Sequence, residues 1–127
     1  MATWTEMALE AKGAAERLMS RKTEATHPRS ACSRAYYAAY AAVTSVLPPG
    51  TPMAHGGNPS HQQLPALTTT LSRYPLHTRR AIRQALSRLY KRRLDADYAP
   101  GSAVTDAVAR NCLRDCALVF TEIGLHK

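Results

Sequence analysis

Arg93 and Asp97 stand four residues apart, and Tyr98 follows at once. On a helix that spacing puts the guanidinium and the carboxylate on one face. An arginine fork holds phosphate bidentately, and an aspartate or phenol beside it can orient a ribose hydroxyl or shift a proton. Arg93, Asp97 and Tyr98 are therefore the candidate catalytic residues, for chemistry on a phosphodiester. The competing reading is an intrahelical ion pair contributing about 0.3 kcal/mol. Arg34 is a second candidate. It is the lone charge in the middle of an otherwise uncharged helical stretch, so it is expected to pair with Asp95 or Asp97, or to hold an anion. Among the histidines, His61 is the most site-like, at a candidate helix start beside a loop. His27 and His126 read as surface residues and His55 and His77 are ambiguous, with a solvated or capping role the default for each, and no spacing suggests a metal site.

Charge points the same way. Lys and Arg number 17 against 9 Asp and Glu, a formal net charge of +8, which argues for an anionic partner. Arg79, Arg83, Arg88 and Arg92 form two i,i+4 pairs, and no acid falls between Thr78 and Leu94. Such a patch suits a phosphate backbone, so these four arginines join Arg34 and His61 as candidate nucleic-acid contacts.

Helices must position these groups, and the periodicity supplies five. Trp4 to Arg21 carries an apolar stripe of Trp4, Met7, Ala8, Ala11, Ala15, Leu18 and Met19, opened by a Thr3/Glu6 capping box. Pro28 opens a second helix that runs to about Leu47, before Pro48-Pro49-Gly50. Ala35 to Val43 carries no charge, so this helix is expected at the centre of the fold. Its Tyr37 and Tyr40 side is expected to meet another helix or a second subunit. Pro48 to Pro59 is a loop. Ser60 and Gln63 form a second capping box for a short helix with Leu64, Leu67 and Leu71; alternatively that helix begins at Leu64 with Pro65 in its first turn. A fourth helix spans about Leu76 to Tyr98, stopped by Pro100-Gly101, and Ser102 is expected to cap a fifth that reaches about Leu125. No segment reads as a strand. The expected fold is all-α, an up-and-down bundle of four long helices and one short one, in a single domain over residues 1–127.

Several function classes are disfavoured. GxGxxG, P-loop and HExxH patterns are absent, and His55-Gly56-Gly57-Asn58 fits no phosphate cradle. Cys32 stands alone, while Cys112 and Cys116 share one helical face. That pattern suits core packing better than a disulfide framework or zinc. No run approaches the roughly 18 apolar residues of a membrane span, and Met1 to Glu10 lacks a basic signal-peptide start. The expectation is a cytoplasmic protein, off the membrane and without a cofactor.

Three blocks resemble a known family. Ser33-Arg34-Ala35-Tyr36-Tyr37-Ala38-Ala39-Tyr40 resembles the signature on the long second helix of HEPN-domain proteins. Pro59-Ser60-His61 looks like that family's short helix, where a histidine commonly stands. Leu89 to Tyr98 resembles its L-Y-x-x-R-x-x-A-D-Y stretch, followed by a Pro-Gly break as here. The resemblance implies a helical bundle that usually dimerises around a cleft, often accompanied by a nucleotidyltransferase-like protein. It also implies metal-independent endoribonuclease activity in many members, through an Arg followed four to six residues later by His. Here Asp97-Tyr98 follows Arg93 and no histidine is in reach; Arg21 and His27 have the spacing but the wrong place. Three readings follow: a homodimer binding RNA or a nucleotide in a prokaryotic defence or toxin–antitoxin-type module, a ribonuclease in which His61 or Tyr98 stands in for the missing histidine, and a non-catalytic subunit that docks an acidic or nucleotidyltransferase-like protein partner.

Overall fold

The computed structural model describes residues 2–20, 27–51 and 59–125. Helix α1 spans Trp4–Leu18 and α2 Pro28–Ser45. The short α3 is Leu64–Leu67, followed by a 3-10 turn at Thr68–Thr70. Helix α4 spans Leu76–Tyr98 and α5 Asp106–Ile123. Four long helices and one short one are present, with no strand among the described residues, as the periodicity predicts. Arg21, His55 to Asn58 and His126 lie outside the described residues.

Local chemistry explains most boundaries. Thr3 Oγ1 accepts from the Glu6 N–H at 3.1 Å, capping α1. Ser60 and Gln63 form a reciprocal capping box, each side chain bonded to the other's backbone N–H. The helix it precedes begins at Leu64, so Pro65 falls in the first turn, where its missing N–H costs nothing. Three ends differ from expectation. Helix α1 stops at Leu18, where the Met19 N–H closes onto the Arg17 and Glu16 carbonyls. Helix α2 stops at Ser45, and the Thr44 and Ser45 hydroxyls bond back to the Tyr40 and Ala42 carbonyls. The cap of α5 is Thr105, not Ser102: its Oγ1 accepts from the Val108 N–H, and Asp106 sits favourably in the first turn. Ser102 is instead engaged by the turn after α4, with its N–H on the Ala99 carbonyl.

Helix α2 touches α1, α4 and α5, which makes it the central element, as its uncharged sequence implies. Its Ala31, Ala35, Ala38, Ala39 and Ala42 are fully buried, and such small side chains let neighbouring helices approach closely. Cross-contacts give the directions. Trp4 near the start of α1 meets Tyr40 near the end of α2. Ser33 near the start of α2 meets Asp97 near the end of α4. The Tyr74 hydroxyl, just before α4, donates to the Ile123 carbonyl at the end of α5. Consecutive long helices therefore run antiparallel. No helix among the described residues is long and apolar enough to cross a membrane.

Candidate nucleic-acid site

The contact between α2 and α4 is a polar seam built by matching periodicities. Ser33 and Tyr37 are one turn apart on α2, and Arg93 and Asp97 are one turn apart on α4. Arg93 Nε donates to Asp97 Oδ2 at 3.2 Å, and its Nη2 donates to the Tyr37 hydroxyl at 3.1 Å. Ser33 Oγ donates to the same Asp97 oxygen at 3.2 Å. The guanidinium also lies 5.9, 5.5 and 5.4 Å from the ring centres of Tyr36, Tyr37 and Tyr98, within cation–π range. The ion pair expected from spacing is thus present, but inside a larger cluster. The Arg93 side chain is only 11% exposed. Burial works against its charge, yet Tyr37, Tyr98, Asp97 and Tyr36 outweigh that cost and lift its pKa above the ordinary value. The cation is therefore permanent. Two of its three nitrogens bond to protein, which leaves Nη1 without a hydrogen bond among the described residues.

A second tier adjoins the seam. Tyr36 is buried, 1% exposed, and its hydroxyl lies 2.6 Å from His61 Nδ1. Burial pushes the Tyr36 phenol above its ordinary pKa, with Arg93 pulling partly back. The hydroxyl thus keeps its proton at neutral pH, and which partner donates in its bond to His61 is set by the histidine tautomer. His61 also packs on Tyr40 at 4.9 Å and Tyr37 at 5.9 Å, and stacks on Tyr90 at 6.2 Å. The buried Tyr40 hydroxyl donates to the Pro59 carbonyl at 2.5 Å, which ties the residue pair before α3 to α2. His61 reaches the cluster because Pro59 and the capping box fix its backbone.

Arg29, not singled out by the sequence, holds the frame. Its Nη1 donates to the carbonyls of Asp95, Ala96 and Ala99, and its Nη2 to those of Pro100 and Ser102, at 2.5–3.3 Å. The last carbonyls of a helix lack intrahelical donors, and the helix dipole favours a cation there. The α4 last turn has no basic residue of its own and carries Asp95 and Asp97. One guanidinium from the start of α2 supplies both missing elements and sets the α4 end beside Ser33.

The other candidates are dispersed. Arg34 is exposed and bonds to neither Asp95 nor Asp97, contrary to expectation. One residue past Ser33 turns it about 100° round the helix, toward α1. There it lines a groove of about 800 Å³ with Trp4, Met7, Arg17, Tyr37, Tyr40 and His61. Tyr37 is 39% exposed and Tyr98 69%, whereas Tyr40 is buried. Arg88 makes a bidentate bond to Asp115 of α5, shortest at 2.8 Å. Arg92 and Lys91 approach Asp95 at 3.6 and 3.7 Å. Arg79 Nη1 bonds the Thr69 carbonyl, and its Nε is buried without a partner. Arg83 is exposed and makes no bond to the described residues. The basic stretch itself is free of acids, but Asp115 of α5 and Asp95 from the last turn of α4 reach it. Among the described residues no three His, Cys, Asp or Glu side chains converge as a metal site would require.

The Arg93 cluster thus joins all three sequence blocks, the second helix, the Pro59-Ser60-His61 turn and the end of the fourth helix. No curated protein and no solved structure matches the chain. The family model for the HEPN domain matches residues 1–125 of 127, nearly the whole length. The chain belongs to the HEPN-domain family.

Proposed function

We propose that this chain is a single HEPN domain that binds RNA at the α2–α4 seam, within a prokaryotic defence or toxin–antitoxin-type module. HEPN proteins are often ribonucleases or parts of such modules, and HEPN domains often dimerise and bind RNA. One observation carries the reading: Arg93 and His61, from separate elements, pack on the same two rings, Tyr36 and Tyr37. Arg93 offers its remaining nitrogen to a phosphate. The adjoining groove, with Trp4, Tyr37 and His61 along its wall and Arg34 at its edge, receives an unstacked base. The exposed Met7, Tyr37 and Tyr98 support a homodimer in which a second protomer covers part of this surface.

A second reading is cleavage. The family's Arg-to-His spacing is missing from α4, but His61 stands in the same cluster as Arg93 and brings an imidazole from another element. In that role His61 carries the proton between the ribose hydroxyl and the leaving oxygen, and Arg93 stabilises the phosphate charge. Asp97 and Tyr98 then position Arg93 rather than react.

The test is anisotropy of a labelled single-stranded RNA at low salt, with parallel cleavage in EDTA, for wild type, Arg93→Ala and Arg83→Ala. Binding that weakens about ten- to a hundredfold for Arg93→Ala, against under threefold for Arg83→Ala, is the expected result. Equal affinity in all three proteins would sink the seam as the binding site. Cleavage lost in both Arg93→Ala and His61→Ala would select the enzymatic reading.

A further inference from the structure

The basic cleft between α4 and α5 ends on a thiol. Arg88, Lys91, Arg92 and Arg114 line a space of about 350 Å³, and Cys112 of α5 forms part of its wall. Behind Cys112 lies Cys32 of α2. The Cys112 thiol donates to the Cys32 sulfur at 3.3 Å, across helices 80 residues apart in sequence. Both residues are buried, at 0% and 1% exposure, and both are free thiols. We propose that Cys32 and Cys112 are a redox modification site that closes to an intramolecular disulfide with hydrogen peroxide as oxidant.

Three observations carry this. The sulfurs need to move little more than 1 Å to reach the bonded distance of about 2.05 Å. The cleft gives a small oxidant a route to a pair that the rest of the core encloses. The pair is electrically uneven: the bond from Cys112 lowers the Cys32 pKa against the cost of burial, with Arg92 and Arg29 adding to it and Asp95 opposing, whereas that same bond and burial hold the Cys112 thiol above the ordinary range, so Cys32 is the more easily ionised of the two. Cys116, one turn beyond Cys112, is the internal contrast. It is fully buried, makes no thiol contact among the described residues, and burial pushes its pKa up to about 12.

The step balances as follows. The sulfur that the peroxide reaches first attacks its O–O bond, becomes a sulfenic acid and releases water. The second sulfur displaces the sulfenic hydroxyl, which leaves with the remaining thiol proton as a second water. An S–S bond forms, two electrons pass to the peroxide, and its O–O bond is gone. The bond would pin α2 to α5 beside Ser33 and the Arg29 clamp. The RNA-binding reading is not required for any of this.

The experiment treats full-length protein with hydrogen peroxide, alkylates remaining thiols under denaturing conditions, and maps the peptides. The expected product links the Cys32 and Cys112 peptides, leaves Cys116 alkylated, and reverses with dithiothreitol. Cys116→Ser keeps the link, and Cys32→Ser loses it. The oxidised protein melts about 10 °C or more above the reduced form, since the bond closes a long loop. Three alkylated thiols after oxidation, a Cys112–Cys116 link, or links only between molecules would overturn the proposal. So would a correctly linked protein that melts no higher, because the pinning would then be absent.

Discussion

Helix α4 presents arginines on two sides, and the two sides behave differently. Facing α2, Arg93 is nearly buried, bonded to Asp97 and Tyr37, and ringed by three aromatic faces. On the outer side, Arg83 stands free of the described residues while Arg88 and Arg92 lean on Asp115 and Asp95. The residue type is the same, and the neighbouring element decides its role. A guanidinium among rings loses water, keeps its charge and holds a fixed direction, so a ligand there meets a preorganised fork. An exposed guanidinium adds mainly long-range attraction that salt screens.

The comparison can be broken most severely at Arg29. Arg29→Ala leaves five carbonyls around the α4 end without their shared cation, and should cost about 3 kcal/mol in urea unfolding. A loss under about 0.5 kcal/mol would mean that the seam stands without the clamp. Next comes binding. Arg93→Ala should lose about 2 kcal/mol of RNA affinity, most of which persists at moderate salt, whereas the small effect of Arg83→Ala should fade as salt rises. The reverse salt pattern would exchange the roles of the two sides.

Alkaline pH sharpens the contrast further. Burial raises the pKa of Cys116 from 9.0 to about 12 and lifts Tyr36 and Tyr40 above 10. In each case the unfolded chain releases its proton first. The stability these groups contribute is fully present below their unfolded pKa values and is lost as pH rises toward the folded ones. Unfolding free energy should therefore fall from about pH 9 upward, by up to about 1.4 kcal/mol per pH unit for each such group. Cys116→Ala should flatten the onset of that fall between pH 9 and 10; an unchanged curve would exclude Cys116 as a source. The smallest effect belongs to the outer face. Arg88→Ala should cost only about 0.5 kcal/mol despite good bidentate geometry, because the arginine is half exposed. A cost above 2 kcal/mol would make that pair part of the frame.

Much of this was legible in the chain because the informative signals were local. Pro100-Gly101 stops α4 at Tyr98, its expected end, the capping boxes lie within four residues, and the uncharged run of α2 announces its burial. Arg93 and Asp97 are visible as a spaced pair. The failures share a cause. Arg29 bonds to backbone carbonyls 66 to 73 residues away, and carbonyls leave no trace in residue identity. Arg34 and Ser33 are neighbours in sequence, yet one turns toward α1 and the other toward α4, a difference settled by how α2 is rotated in the bundle. Thr105 displaced Ser102 as a cap because Ser102 was already committed to the turn that Arg29 holds. Cys32 and Cys112 meet only because α2 and α5 pack together, a pairing that no local pattern encodes.

The alanines of α2 bear on how such a chain can change over time. Ala31, Ala35, Ala38, Ala39 and Ala42 have no side-chain volume to surrender and no room to gain any. An extra methyl or methylene on this helix must push on packed neighbours, at about 1–3 kcal/mol for each ordinary overpacking event. The outer helices can exchange one large residue for another and repack. The central helix has no such exchange open to it, so sequence drift should gather on α1 and α5 while α2 stays a run of small residues broken by its tyrosines.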